Sequence, residues 1–234
     1  MYQRNRLSMN VLLAAALFSL AFIATGYGSD NVTIAFVNKI IKDVTKRSGQ
    51  GDWSGATKGE ILLSGDQVRT GQKSLALIKF LDNSIVHVRE LSLLTLSSDA
   101  ANGNQTKSVQ LSAGAVGFSV QKQQNQLFRL TSPTSVASIR GTKGKWAGGK
   151  GQDTLVITEG LVNLRNTVAD SSIDVPSGFI GFSNQDGTLS SRRATAQELA
   201  DANNAASGGS SNELNLELKD SKGNKKELKI RFKQ

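Results

Sequence analysis

Leu75-Ala76-Leu77-Ile78-Lys79-Phe80-Leu81 and Ser84-Ile85-Val86-His87-Val88-Arg89, parted by Asp82-Asn83, decide how this chain folds. Both runs are short, rich in β-branched and large apolar side chains, and bounded by turn residues, and the second alternates apolar with polar positions. That is the pattern of β-strands. It repeats outward in both directions. Upstream lie residues 33–37 and 60–63. Downstream lie 93–96, 109–111, 116–120, 127–130, 135–139, 154–157, 161–164 and 178–182. Gly, Asn, Asp or Ser separates the runs, and glycine supplies positive-φ turns. No helical period is sustained across the region, so the chain is expected to be all-β.

One pattern occurs twice. Leu111-Ser112-Ala113-Gly114-Ala115-Val116-Gly117-Phe118 and Ile157-Thr158-Glu159-Gly160-Leu161-Val162-Asn163-Leu164 share the form apolar-x-x-Gly-x-Val-x-apolar. Each reads as a strand, a glycine corner and a second strand. Such corners let sheets turn and stack, as in a β-helix or sandwich. Two similar hairpins would give the same pattern.

The ends differ from this middle. Arg4 and Arg6 precede an uncharged stretch from Leu7 to Ser29, whose apolar heart of 14 residues runs from Val11 to Ala24. Small residues follow at Ala24-Thr25-Gly26. This is the layout of a signal peptide over residues 1–28, and its heart is shorter than the roughly 18 residues of a membrane span. The rival is an uncleaved anchor, since the uncharged stretch totals 23 residues. Either way the remainder is expected outside the cytoplasm, periplasmic or secreted, with no membrane span after cleavage. At the other end, residues 194–206 are alanine-rich. Thr195 with Glu198 has capping-box spacing, which predicts a short helix. Residues 207–211 read as a linker. Residues 212–234 alternate on both sides of Asp220-Ser221-Lys222-Gly223-Asn224 and predict a terminal β-hairpin with one apolar face. Such a hairpin is marginal alone, so it is expected to dock on the main domain or on another molecule, self-association through 212–234 included.

Composition narrows the chemistry. The 234 residues are 38% hydrophobic, with 23 glycines, 2 prolines, 1 histidine and no cysteine. The absence of cysteine excludes disulfides, thiolate metal sites, cysteine nucleophiles and a lipid-modified N-terminal cysteine. A single histidine excludes a multi-histidine metal centre, and no cofactor is expected. The net charge is +9. Without Arg4 and Arg6, the remaining 26 basic and 19 acidic residues leave +7. A basic exported chain suits anionic envelope polymers, although the same charge also serves solubility. Nucleic acid is not expected, because basic and aromatic residues are not interleaved.

Several blocks resemble a known family. Gly65-Asp66-Gln67-Val68-Arg69-Thr70-Gly71, Ser74 to Ser84, Gln110 to Val116, Phe128 to Thr142 with its Arg140-Gly141-Thr142, and Glu159-Gly160-Leu161-Val162 are similar, in order, to the FecR domain. Asn83 stands where that family places the glycine of an Asp-Gly-Ser turn. The resemblance, taken over residues 30–190, implies a β-helix-like or sandwich stack of short strands. The family's best-known members are transmembrane sensors with a cytoplasmic sigma-regulating region. Here few residues precede the apolar stretch, so that role is not carried over. The expectation is a stand-alone exported, non-catalytic interaction module serving signalling or envelope assembly.

The segment Arg140 to Gly151 stands out. It holds Arg140, Lys143, Lys145 and Lys150, with Trp146 and five glycines. Gly144 to Lys150 approaches a phosphate loop, but Gly151 occupies the hydroxyl position and no strand–loop–helix context surrounds it. Nucleotide binding is set aside. The expectation is a solvated loop in which these five residues contact an envelope protein or glycan, with Trp146 stacking on it. Arg140 has a structural alternative, pairing with Asp66 or Glu159. His87 is expected at the surface or half-buried on its strand. Asp82, Glu90, Asp153, Glu159 and Asp174 read as turn-capping acids. The rival is carboxylate chemistry in an envelope hydrolase.

Overall fold

The computed structural model describes residues 32–101, 104–122, 126–149, 151–208, 213–219 and 225–231. Residues 1–28, expected as a signal peptide, Lys150, most of the expected 207–211 linker and the expected turn at 220–224 lie outside them.

Seventeen strands form one continuous hydrogen-bonded system, which folds into two facing sheets. In the first sheet the order is β4 (Ile61–Leu63), β1 (Thr33–Ile41), β6 (Leu75–Phe80), β7 (Ile85–Val88), the second half of β9 (Asn104–Ser119), β12 (Lys143–Gly148), β13 (Gln152–Glu159), β16 (Phe179–Asn184) and β17 (Leu189–Arg193). In the second it is β3 (Ser54–Gly55), β2 (Val44–Ser48), β5 (Asp66–Thr70), β8 (Leu93–Ala101), the first half of β9, β10 (Gln126–Thr131), β11 (Ser135–Ile139), β14 (Leu161–Asn166) and β15 (Ser171–Pro176). These pairings are antiparallel except β9 with β10, which is parallel. The chain forms hairpins within a sheet and crosses between sheets at corners.

The repeated glycine pattern marks two such crossings rather than two hairpins. Runs 109–111 and 116–120, read separately in the sequence, belong to one strand and its edge. β9 bends from the second sheet into the first at Gly114, whose φ is +95°. A Cβ there would meet the Ser92 hydroxyl at 2.2 Å. Ser92 Oγ fills the corner, donating to the Ala115 carbonyl (3.1 Å) and accepting from the Ala115 N–H (3.0 Å). Gly160, φ +91°, makes the reverse crossing from β13 to β14, with the Thr142 methyl packed against it. Asn83 takes φ +66° between β6 and β7, a conformation asparagine tolerates better than most residues.

Inward residues of both sheets make one core. Phe80, Phe118, Trp146, Leu62, Leu94, Leu111, Leu130 and Leu155 are among its largest fully buried members. Alternation is clear in β14, where Val162, Leu164 and Asn166 point inward and Leu161, Asn163 and Arg165 outward.

Helix α1 (Ala196–Ala206) closes on the outer face of the first sheet. The predicted capping box forms: Thr195 Oγ1 accepts from Glu198 N–H (3.2 Å) and Glu198 accepts from Thr195 N–H (2.8 Å). Ala202 packs on Val156 and Ile180. β18 (Glu213–Lys219) and β19 (Lys225–Arg231) pair antiparallel as a separate sheet, with Leu214 opposite Ile230 and Leu216 opposite Leu228. Among the described residues no helix is long and apolar enough to cross a membrane.

Candidate functional site

The basic segment is not a loop. Gly141 (φ +66°) turns the chain between sheets, and residues 143–148 become β12, held between β9 and β13. Glycine content hides this strand from propensity reasoning, yet its glycines are required. A Cβ on Gly144 would lie 2.3 Å from the Val156 carbonyl and 2.9 Å from the Phe118 ring. Between Gly144 and Gly148, all pointing inward, Trp146 fills the core at 0% exposure. Period-two geometry then separates the four described candidate residues. Arg140 and Lys143 are exposed, and Lys143 pairs with Glu159 at 2.6 Å. Lys145 lines a cleft of 140 Å³ beneath α1, with Glu198 and Asp201 across from it. Trp146 lies on the other side of the strand, out of reach of a ligand stacked at the surface. Arg140 takes neither predicted partner: Glu159 serves Lys143 and Asp66 serves Lys46.

His87 departs from the sequence expectation too. It is 3% exposed and lies beneath the end of α1, where a Cβ on Gly208 would be 2.6 Å from Nε2. Among the described residues its Nδ1 has no hydrogen-bond partner. Loss of hydration, then the charges of Arg89 and Lys39, lowers its pKa from 6.5 to about 4, so the ring is neutral at pH 7.

The acids singled out in the sequence all serve the fold. Asp82 binds buried Lys107 at 2.6 Å, and Lys107 also donates to Gln126 (3.0 Å). This pair borders a cleft of 270 Å³ that Thr33, Asn83 and Gln105 help to line. Asp153, 3% exposed, accepts from the Ser132 and Thr134 hydroxyls. Glu90 caps the Lys73 N–H (2.7 Å), and Asp174 accepts from Asn163 (2.8 Å). Among the described residues no group of three or more His, Cys, Asp or Glu could hold a metal ion.

One cluster escaped the sequence reading. On the outer face of the second sheet, Arg47 and Arg69 both lie over the Trp53 ring, 4.8 and 4.4 Å from its centre. Arg47 Nε and Nη2 donate to Gln67 Oε1 (3.1 and 2.5 Å), and Arg69 Nε donates to Thr45 Oγ1 (3.3 Å). The residues are far apart in sequence. Only the β2–β5 register, Thr45 opposite Arg69 and Arg47 opposite Gln67, assembles them.

Comparison with known proteins bears on the fold. Residues 66–163 match the family described as FecR protein. Two crystal structures of a candidate anti-sigma factor from Parabacteroides distasonis ATCC 8503 are similar at 12% identity, with TM-scores of 0.49 and 0.48. In both cases the match covers 56% of this chain and 61% of the other, so this chain spans under two thirds of their length. A cell surface anchoring domain matches at 26% identity over 27% of this chain and 84% of its own, with a TM-score of 0.26. Among curated proteins nothing matches.

Proposed function

We propose that this chain, which carries a FecR domain over residues 66–163, is an exported, non-catalytic interaction module of the bacterial cell envelope. One observation carries the reading: the side chains that the sequence singles out for acid–base chemistry are engaged by neighbours within the fold. The lone histidine is buried and neutral, and each acid the sequence singled out is tied to a backbone amide, a side-chain amide, a hydroxyl or a lysine. What stands outward is recognition surface, including Arg140 and Lys143 at the corner before β12. The partner is an envelope protein or glycan. Crosslinking in the intact host envelope, followed by purification and mass spectrometry, tests this. A recurrent protein partner supports the module, and a hydrolytic activity lost on Asp153→Asn overturns it. Export is tested by sequencing the mature N-terminus, expected between residues 25 and 30.

A second reading is self-assembly through 212–234. The separation of β18 and β19 into their own sheet favours it, because a two-stranded sheet needs a further surface to be stable. Light scattering decides: a monomer whose mass changes only by the deleted residues on truncation after 207 removes this reading.

A further inference from the structure

The Trp53 cluster invites a question that the fold alone does not answer. Two guanidiniums share one ring and lie no more than about 9 Å apart, a separation at which like charges repel. Several other cations of the molecule have acids: Lys46 has Glu60 and Asp66, Lys143 has Glu159, Arg165 has Asp170, Arg192 has Glu198. Among the described residues the side-chain hydrogen-bond acceptors of Arg47 and Arg69 are a neutral amide and a hydroxyl. Asp52, next to Trp53 in the chain, forms no ion pair with either among the described residues. The ring holds the two forks in place, which lowers the rotamer entropy a ligand would otherwise have to remove. With both cations over it, the ring is engaged by charge and is not a bare platform for a neutral sugar.

The register extends this spot into a track. Arg47 is opposite Gln67, Gln67 opposite Thr95, Thr95 opposite Gln110, and Gln110 opposite Thr131. All point outward, since their neighbours Val68, Leu94, Val109 and Leu130 are buried. Adjacent strands are about 4.8 Å apart, so the row offers amide and hydroxyl groups over roughly 14 Å beyond Arg47. Exposed Arg129 lies beside its far end. Cations at both ends and neutral hydrogen-bonding groups between them match a chain that alternates carboxylates with hydroxyls.

We propose that the outer face of the second sheet binds an acidic polysaccharide, with Arg47 and Arg69 on Trp53 holding one carboxylate and the Gln67–Thr95–Gln110–Thr131 row carrying the sugar chain toward Arg129. This rests on the interaction-module reading and gives one ligand of that module its chemistry. Arginine forks suit carboxylates through paired, charge-assisted hydrogen bonds.

The test uses the full chain, titrated with polygalacturonate, neutral dextran and inorganic polyphosphate, read by calorimetry and tryptophan fluorescence. Trp146 is buried, so the fluorescence change reports Trp53. Expected is binding to polygalacturonate that weakens with added salt, weaker binding to polyphosphate and none to dextran. Arg47→Ala with Arg69→Ala should weaken binding at least tenfold, about the worth of one charge-assisted hydrogen bond. Arg129→Ala should weaken it severalfold, and Arg192→Ala less than twofold. Melting curves establish that each variant is folded. No polygalacturonate binding, equal losses in the Arg192 and Arg47/Arg69 variants, or tighter binding to polyphosphate overturns the proposal. Such a failure leaves the crosslinking result standing, since crosslinking detects a protein partner at any surface.

Discussion

The outer faces of the two sheets are both made from short alternating strands, and they end in opposite states. On the first sheet, the row His87, Gly117, Lys145, Val156 and Ile180 runs in register across β7, β9, β12, β13 and β16. Apart from His87 and Lys145 it is apolar or small, and it is covered by α1, so closely that a Cβ on Gly117 would lie 2.1 Å from the Ala205 carbonyl. On the second sheet, the corresponding row of Arg47, Gln67, Thr95, Gln110 and Thr131 is polar and uncovered among the described residues. An antiparallel sheet leaves one face to water when that face is polar; where Val156 and Ile180 point outward, a helix must bury them. The difference is one of side-chain content, and it leaves the second sheet's outer face open for binding.

The two tryptophans test this contrast with the largest expected effect. Trp146→Ala should cost about 4 kcal/mol of folding stability, as for other large buried aromatics, whereas Trp53→Ala should cost under about 1 kcal/mol. Chemical denaturation of both variants measures the gap. Equal costs would mean that Trp53 is as structural as Trp146.

Acid comes next. The His87 pKa of about 4 lies below its unfolded value of 6.5, so the unfolded chain binds the proton more readily and acid favours unfolding. The contribution is intact above pH 6.5, is lost as pH falls from 6.5 to about 4, and stays constant below that. A shift of this size corresponds to roughly 3 kcal/mol. His87→Gln should flatten the slope of unfolding free energy across that window, and an unchanged slope would place His87 in water.

Gly117→Val forces a side chain into the Ala205 backbone and should cost about 2 kcal/mol through overpacking, with loss of helical circular dichroism. Gln110→Val on the polar face should change stability by less than about 0.5 kcal/mol. A modest effect belongs to the helix terminus: Thr195→Ala removes the capping hydroxyl and should cost about 1 kcal/mol, read as a lower melting temperature.

Much of this architecture is legible in the chain. Runs such as 75–81 and 84–89 announce their strands because apolar content and period two coincide. The Gly114 and Gly160 corners show as a repeated pattern, and the helix shows through its Thr195–Glu198 spacing. Strands β2, β3, β5, β12, β15 and β17 do not show. β3, β15 and β17 end their sheets, β2 and β5 are largely polar, and β12 is written in glycines. The expectation of a loop over residues 140–151 fails for the same reason. Glycine and lysine around Trp146 look like a solvated loop until the partner strands supply the hydrogen bonds and the cavity that those residues fit.

What the sequence determined alone is what depends on near neighbours: strand periodicity, turn chemistry, the capping box, and the exclusion of cysteine and multi-histidine chemistry. What the tertiary structure decided is what depends on register between distant strands. Pairing of β2 with β5 gathers Arg47, Trp53, Gln67 and Arg69. Docking of α1 turns His87 from a strand residue into a buried neutral one. Side chains at fixed positions acquire their environment only when non-local backbone hydrogen bonds set which strands lie side by side.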